Sequence, residues 1–419
     1  MDKRCGLLNL IFLFTLFGLG IGDSQATSMD IGKSKQFTSI QIALKAASPG
    51  DTLFVFPGVY KEGNILINKP ITIIGVGFPV IDGDRRFEVI TIKSNQVKIT
   101  GLKVQHSGYA TLDDPGGIKI HESEYVEISN NILFDNFFGI YVQYGKHCTV
   151  KNNLIIAKGK EEQQIGNGIH AWKSDSLQII GNRITGHRDG IYFEFVTHSV
   201  IWRNISERNI RYGLHFMFSN NDGYFTNVFR GNGAGVAVMF SNHVCMMNNK
   251  FTENWGDASY GMLLKEISDS YIAGNKFERN TSGIFMEGTS RIIAEKNSFQ
   301  HNGWGMQIQA SCMDNKIELN NFISNTFDIG TNGTVVLNDF DANYWDKYEG
   351  YDLNKDGTGD VVFRPLSLFS VIIERNPSSM LLFKSIMVTL LDKSEKMFPT
   401  LTPENFVDKK PKMHRYLYD

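Results

Sequence analysis

One recurring asparagine constrains this chain more than any other feature. Asn131, Asn153, Asn182, Asn204, Asn227, Asn249, Asn275, Asn297 and Asn321 each follow a strand-like run, mostly 22 to 24 residues apart. An apolar residue often stands two positions later, as at Ile184, Phe229, Phe251, Phe277, Phe299 and Ile323. A turn rich in Asn and Gly comes next (Asn232-Gly233, Asn280-Thr281-Ser282-Gly283, Asn302-Gly303), and then a second strand. Self-similarity at this period, built from short alternating strands, specifies a solenoid. The repeat is too short and too β-branched for paired helices, and the Leu/Asn spacing of leucine-rich repeats is absent. A parallel β-helix remains, each coil stacked about 4.8 Å above the last. The asparagines then form an internal hydrogen-bonded ladder and the phenylalanines a stack inside the coils. Both serve the fold, so the ladder asparagines are not candidates for chemistry.

The ends of the chain depart from the repeat. Lys3 and Arg4, an apolar run over 7–20 and the small residues Ser24 and Ala26 read as a secretory signal peptide, residues 1–26, cut near Ala26. Residues 37–47 form a short amphipathic helix stopped by Ser48-Pro49-Gly50, with a strand and turn following over 51–60. Such a helix covers the open end of a solenoid, which otherwise invites edge pairing. This opening resembles the cap of pectin-lyase-like right-handed parallel β-helix proteins. The expected order is therefore all-β: a leader at 1–26, a capped right-handed parallel β-helix over 27–365, and a helical C-terminal tail over 366–419. Within the tail, 378–396 is helix-like, but its apolar core (380–391) is too short to span a bilayer. It packs on the solenoid or docks on a membrane partner. The stretch from Asp408 reads as a mobile end.

Charge excludes one class of partner. Lys and Arg total 42 against 44 Asp and Glu, a net charge of −2, and no basic block stands out. Nucleic acid is therefore not an expected partner. Without the leader the chain keeps Cys148, Cys245 and Cys312, an odd number, so no disulfide framework is expected and all three read as idle thiols.

The two-residue period of the strands then separates inside from outside. After the glycine that opens each second strand, the first and third residues are apolar (Ile191/Phe193, Leu214/Phe216, Val236/Val238) and point inward. The second and fourth residues point outward. One outward column includes His170, Tyr192, His215 and Ala237; the other includes Trp172, Glu194, Met217, Met239, Lys265 and Glu287. Met217 and Met239 thus fall on successive coils, His215 shares a face with Met217, Ala237 leaves room beside Met239, and His243 lies just past a corner. Thioethers with imidazole form a soft-to-borderline ligand set that selects Cu(I) over Ca²⁺ or Mg²⁺. The candidate copper ligands are His215, Met217, Met239, Glu194, His170 and His243. The same methionines also suit the underside of a packed C-terminal segment, and the face alone leaves both readings open. A further outward column is apolar at Ile180, Trp202, Phe225 and Met247, which calls for a covering segment or a protein partner.

Several segments go further. The run Arg211-Tyr-Gly-Leu-His-Phe-Met-Phe-Ser219, the run Gly235-Val-Ala-Val-Met-Phe-Ser241, Tyr260-Gly-Met-Leu-Leu-Lys265 and the 343–360 segment opening Asn343-Tyr344-Trp345-Asp346 resemble the NosD family of nitrous oxide reductase maturation proteins. The resemblance covers roughly residues 30–400. It implies a periplasmic copper-binding β-helix protein that is not itself an enzyme. It implies work with an ABC transporter (a membrane permease and its cytoplasmic ATPase) and a copper chaperone, in assembly of the copper-sulfur centre of nitrous oxide reductase. Membrane contact would run only through the permease.

Two other features carry readings of their own. Asp352, Asn354, Asp356 and Asp360 with Gly357 match the first part of an EF-hand-type Ca²⁺ loop, but Phe363 holds the place of the bidentate Glu. The alternative is a tight turn closing the last coil. The rival function on this fold is a secreted polysaccharide lyase or epimerase, since fold alone does not decide chemistry. Its acid–base set would be thin: Lys265 with Glu287, and Arg188 with Asp189.

Overall fold

The computed structural model describes residues 27–109, 114–159, 161–333, 337–383, 385–397 and 406–418. The expected leader at 1–26 lies outside them. Two compact units, 1–228 and 229–419, are both built of parallel β-helix coils. In each unit three parallel sheets run along the coils, and every strand pairs with its counterpart one repeat away. The inward columns hold register: Ile118, Ile140, Ile169, Ile191 and Leu214 pair in series and all are fully buried.

The corner before each ladder asparagine needs a left-handed residue. Asn130, Asn152, Arg203 and Thr226 all have φ of 54°. Where Gly181 takes this place (φ +64°), an added Cβ would lie 2.5 Å from Asn152 Oδ1, so the side-chain-free residue lets the neighbouring coil close in. The corner presents the next side chain to the interior. In the first unit Asn131 donates its backbone N–H (3.0 Å) and its amide (3.1 Å) to Asn153 Oδ1. Asn153, Asn182 and Asn204 each repeat this, Asn204 donating to Asn227. In the second unit the ladder runs from Asn249 through Asn275 and Asn297 to Asn320 and Asn343. The sequence period placed its later rung at Asn321. The structure puts Asn320 there, because Leu319 takes the left-handed corner (φ 59°), and Asn321 instead pairs with the backbone of Tyr416. Beside the ladder, Phe229, Phe251, Phe277, Phe299, Phe322 and Trp345 stack at centroid spacings of 4.2 to 5.4 Å. A second internal ladder, Asn232-Asn254-Asn280-Asn302-Asn325, links the opposite turns.

The ends follow the same logic. The cap helix is Ile40–Ala46, shorter than its amphipathic pattern, and buries Ile40, Ala43 and Leu44. Glu62 closes its N-terminus by accepting from Ser39 Oγ and from the Ile40 and Gln41 amides. The tail breaks into a helix Leu368–Arg375, a 3-10 turn Pro377–Leu382 and a helix Ile386–Met397. Pro377 interrupts any longer helix. Phe369, Ile373 and Val388 pack onto Trp304 and Phe327, while Leu381 (91% exposed) and Ile386 (81%) face outward. Among the described residues no helix is long and apolar enough to cross a membrane. The expected mobile end is instead anchored. Buried Asp408 accepts from the amides of Ala342 and Asn343, from the Asn343 side chain and from Trp345 Nε1, which ends the ladder. Cys148 and Cys312 are buried free thiols.

Two stability predictions follow from the ladders. Asn275→Ala strips the shared acceptor from both Asn249 donors and removes the side-chain donor from Met246 O, while Asn297 Oδ1 keeps only the backbone N–H of residue 275. Equilibrium denaturation should show a loss on the order of 3 kcal/mol. Asp222 sits fully buried in a third column of polar side chains, accepting from the Ser199 amide (2.8 Å) while its second oxygen has no partner. Burial pushes its carboxyl well above the usual range, and the Ser199 amide opposes this only in part. With the folded value raised, its contribution is full at acid pH and is lost as pH rises. Asp222→Asn should therefore raise the unfolding midpoint at neutral pH and flatten that pH dependence, read by thermal unfolding between pH 4 and 8.

Candidate metal-binding face

The strands Ile169–Trp172, Asp189–Glu194 and Tyr212–Met217 lie side by side in the first unit. Their register aligns His170, Tyr192 and His215 in one outward column, and Trp172, Glu194 and Met217 in the next. The alternate residues Ile191, Phe193, Leu214 and Phe216 fill the interior. His215 and Met217 therefore share the outer side of one strand, and Glu194 is the cross-strand neighbour of Met217.

His215 is only 6% exposed. Its ring is enclosed by Tyr192 and Tyr212, at centroid distances of 4.8 and 4.9 Å. Neither ring nitrogen has a hydrogen-bond partner. Asp189 Oδ2 lies 3.5 Å from Nδ1, longer than an ordinary hydrogen bond. Asp189 is fully buried and is gripped by Arg211 through Nε–Oδ1 (2.9 Å) and Nη2–Oδ2 (2.6 Å). Burial alone would raise this carboxyl; the Arg211 hydrogen bonds and the neighbouring imidazole overcome it and hold it at about 2. Tyr192 is pushed up to about 12 by burial and by the charge of Glu194.

His170 belongs to the same column but not to the same environment. Its Nδ1 lies 3.0 Å from the Asn167 amide nitrogen, and its ring is wedged among Phe138, Tyr141 and Tyr192. Tyr192 stands between it and His215. Burial and then the Arg188 charge push it down to about 3, so it is neutral. In the second unit, Met239 is the half-buried last residue of strand Ala234–Met239 and pairs with Lys265. Ala237 is fully buried, so no space opens at that position. His243 is exposed on a left-handed turn (φ 53°), with Nδ1 2.7 Å from Asn242 Oδ1.

A soft donor pair fits His215 and Met217: a buried imidazole with unpartnered nitrogens, and a thioether two residues away on one face. Among the described residues, no group of three or more His, Cys, Asp or Glu side chains converges as a metal cage. In the Asp352–Asp360 loop the oxygens accept from the loop's own amides, those of Leu353, Asp356, Gly357 and Thr358. Of the acid–base pairs a lyase would need, Lys265 and Glu287 are partly exposed and engaged with each other at 3.4 Å. The outward apolar column is in register in the first unit, where Ile180, Trp202 and Phe225 align. Sequence reasoning set Asp189 among possible acid–base groups and missed its pairing with Arg211 and His215. A signal was present: Asp189 stands directly before the strand-opening Gly190, and Arg211 stands two residues before the strand-opening Gly213 of the next coil.

The coils define the class first. This is a pectin-lyase-like right-handed parallel β-helix, similar in fold to PfbA, a surface adhesin of Streptococcus pneumoniae (TM-score 0.55, 12% identity, 70% of this chain and 87% of that one). Within that class the sequence is specific. The profile of the family described as periplasmic copper-binding protein (NosD) matches residues 44–163 and 156–354, and the chain belongs to this family. It is similar to the probable ABC transporter binding protein NosD of Pseudomonas aeruginosa strain PAO1 (27% identity, 96% of this chain and 94% of the relative). The protein of the same name from Stutzerimonas stutzeri is 26% identical, covering 87% of each chain.

The electrostatics of His170 can be read directly. Its ring should stay neutral at pH 5 by NMR, where a free imidazole is almost wholly protonated. With the folded value below the ordinary one, its stabilising contribution is present above about pH 6.5 and is lost as the pH falls toward about 3. Acidification through that window should lower the unfolding midpoint, and His170→Phe should reduce the drop.

Proposed function

We propose that this protein is a periplasmic copper-binding accessory factor of an ABC transporter, and that it assists assembly of the copper-sulfur centre of nitrous oxide reductase. Membership of a family described as periplasmic and copper-binding supports the location and the metal. The names of the relatives support the transporter. The observation that carries the reading is His215, nine-tenths buried, with two unpartnered ring nitrogens on the strand face that also holds Met217.

Cu(I) is the cargo in this reading. His215 and Met217 are its principal ligands, and Glu194 is the adjacent carboxylate. In the second unit, Met239 on its own strand and exposed His243 four residues on are separate candidate ligands. His170, held by Asn167 and packed among aromatic rings, supports the column rather than the ion. The partners are the permease, its ATPase, a copper chaperone that donates the ion and nitrous oxide reductase that receives its product. The protein has no chemical step of its own: it binds, orients and releases. A thioether–imidazole pair suits exchange, because it holds a soft ion without the tight grip of thiolates.

Anaerobic Cu(I) competition on the full chain tests this. The wild type should bind, and Met217→Ala/Met239→Ala should weaken binding at least tenfold, about 1.4 kcal/mol. Binding unchanged in the double variant would move the site elsewhere. No retention of Cu(I) by the wild type would overturn the copper reading.

A further inference from the structure

A fully buried carboxylate on the outer side of a solenoid, paired with a partly exposed arginine, needs a reason. Asp189 is fully buried, and Arg211, one coil on, spends two of its donors on it. The Tyr212 amide adds a third contact at 3.3 Å. Desolvating this carboxylate offsets much of what the attraction to Arg211 returns, and an apolar side chain of similar size at that position would hold the two coils together as well. Cohesion is in any case supplied at these coils by the asparagine ladder, from Asn182 to Asn204. What the pair does supply is a fixed anionic oxygen beside His215 Nδ1.

That oxygen distinguishes the two neutral forms of the ring. With the proton on Nδ1, its positive end faces the carboxylate. With the proton on Nε2, the Nδ1 lone pair faces a negative charge, and a buried Nε2–H is left without an acceptor, which is unfavourable. Arg211 cannot relieve the first form or permit the second, because its fork is already committed to both Asp189 oxygens. Tyr192 and Tyr212 flank the ring and limit its rotation. A carboxylate behind an imidazole is a general device for fixing which nitrogen carries the lone pair.

We propose that Asp189, locked in place by Arg211, is a positioning residue that keeps the proton of His215 on Nδ1 and leaves the Nε2 lone pair free for a soft metal ion, beside the Met217 thioether. The inference rests on the copper reading given above. It goes beyond it by assigning a role to two residues that do not touch the ion. The aromatic walls complete the device, since they exclude water that would otherwise compete for Nε2.

The test uses the full-length chain, first without metal. Nitrogen NMR of labelled histidine at a fixed neutral pH should show His215 in the Nδ1–H form. Asp189→Asn should give a mixture of forms or the Nε2–H form. Arg211→Lys, which keeps the charge but loses the fork, should shift the ring the same way to a smaller extent. Cu(I) competition on the same proteins should show affinity reduced tenfold or more in Asp189→Asn, by less in Arg211→Lys, with His215→Ala marking the loss of the ligand itself. Circular dichroism establishes that each variant is folded. If Asp189→Asn misfolds, Arg211→Lys carries the comparison alone. A His215 tautomer unchanged in the folded variants, with Cu(I) affinity within twofold of wild type, overturns the inference. A wild-type chain that holds no Cu(I) overturns the copper reading instead, and the metal-free tautomer measurement still decides the role of Asp189.

Discussion

Everything in the coils depends on how a buried corner satisfies its amides. A β-helix must bend three times per coil, and each bend turns backbone N–H groups away from the sheet ladder. In water this costs nothing; in the interior an unpaired amide costs on the order of 1–3 kcal/mol. The asparagine at Asn131, Asn153 or Asn275 solves it with one side chain. Its carbonyl accepts from the coil before, and its amide donates to that coil's backbone and to the next rung. Because each rung satisfies its neighbours, register becomes coupled from coil to coil, and a slip at one position would orphan donors at several.

That coupling releases the outer surface. Inward positions answer to packing, and Phe229 to Trp345 show how little variety they allow. Outward positions on the same strands carry no such duty, so histidine, methionine, tyrosine and carboxylate can be placed there in columns of known spacing. The strand Tyr212–Met217 illustrates the division: Leu214 and Phe216 belong to the core, while His215 and Met217 lie on the outer side and form the proposed site. Rigid strands hold the donors at fixed spacing, which suits the binding and release proposed above.

The face is still not a typical surface. His215 is nearly as buried as a core residue, and Asp189 is fully buried. A second polar layer has been built outside the sheet, roofed by Tyr192 and Tyr212, with charges that attract but are not all satisfied. Low dielectric makes such a layer expensive to leave incomplete. The unpaired Nε2 of His215 is thus the kind of feature that a ligand, rather than the fold, accounts for.

The period of the asparagines, the alternation of the strands and the amphipathic opening determined the β-helix, its interior columns and the outward columns, because pattern and pleat are local and repeat with the chain. Family membership was legible for a similar reason: its marks are short runs such as 211–219 that lie whole within one coil. Tertiary structure alone decided what depends on neighbours distant in sequence. It moved the late rung from Asn321 to Asn320, anchored Asp408 across the last corner and split the tail at Pro377. It also separated His170 from His215 by a tyrosine, though both stand in one column. The pairing of Asp189 with Arg211 and His215 was invisible for the same physical reason. Burial and charge contact are properties of stacked coils, and no single coil contains them.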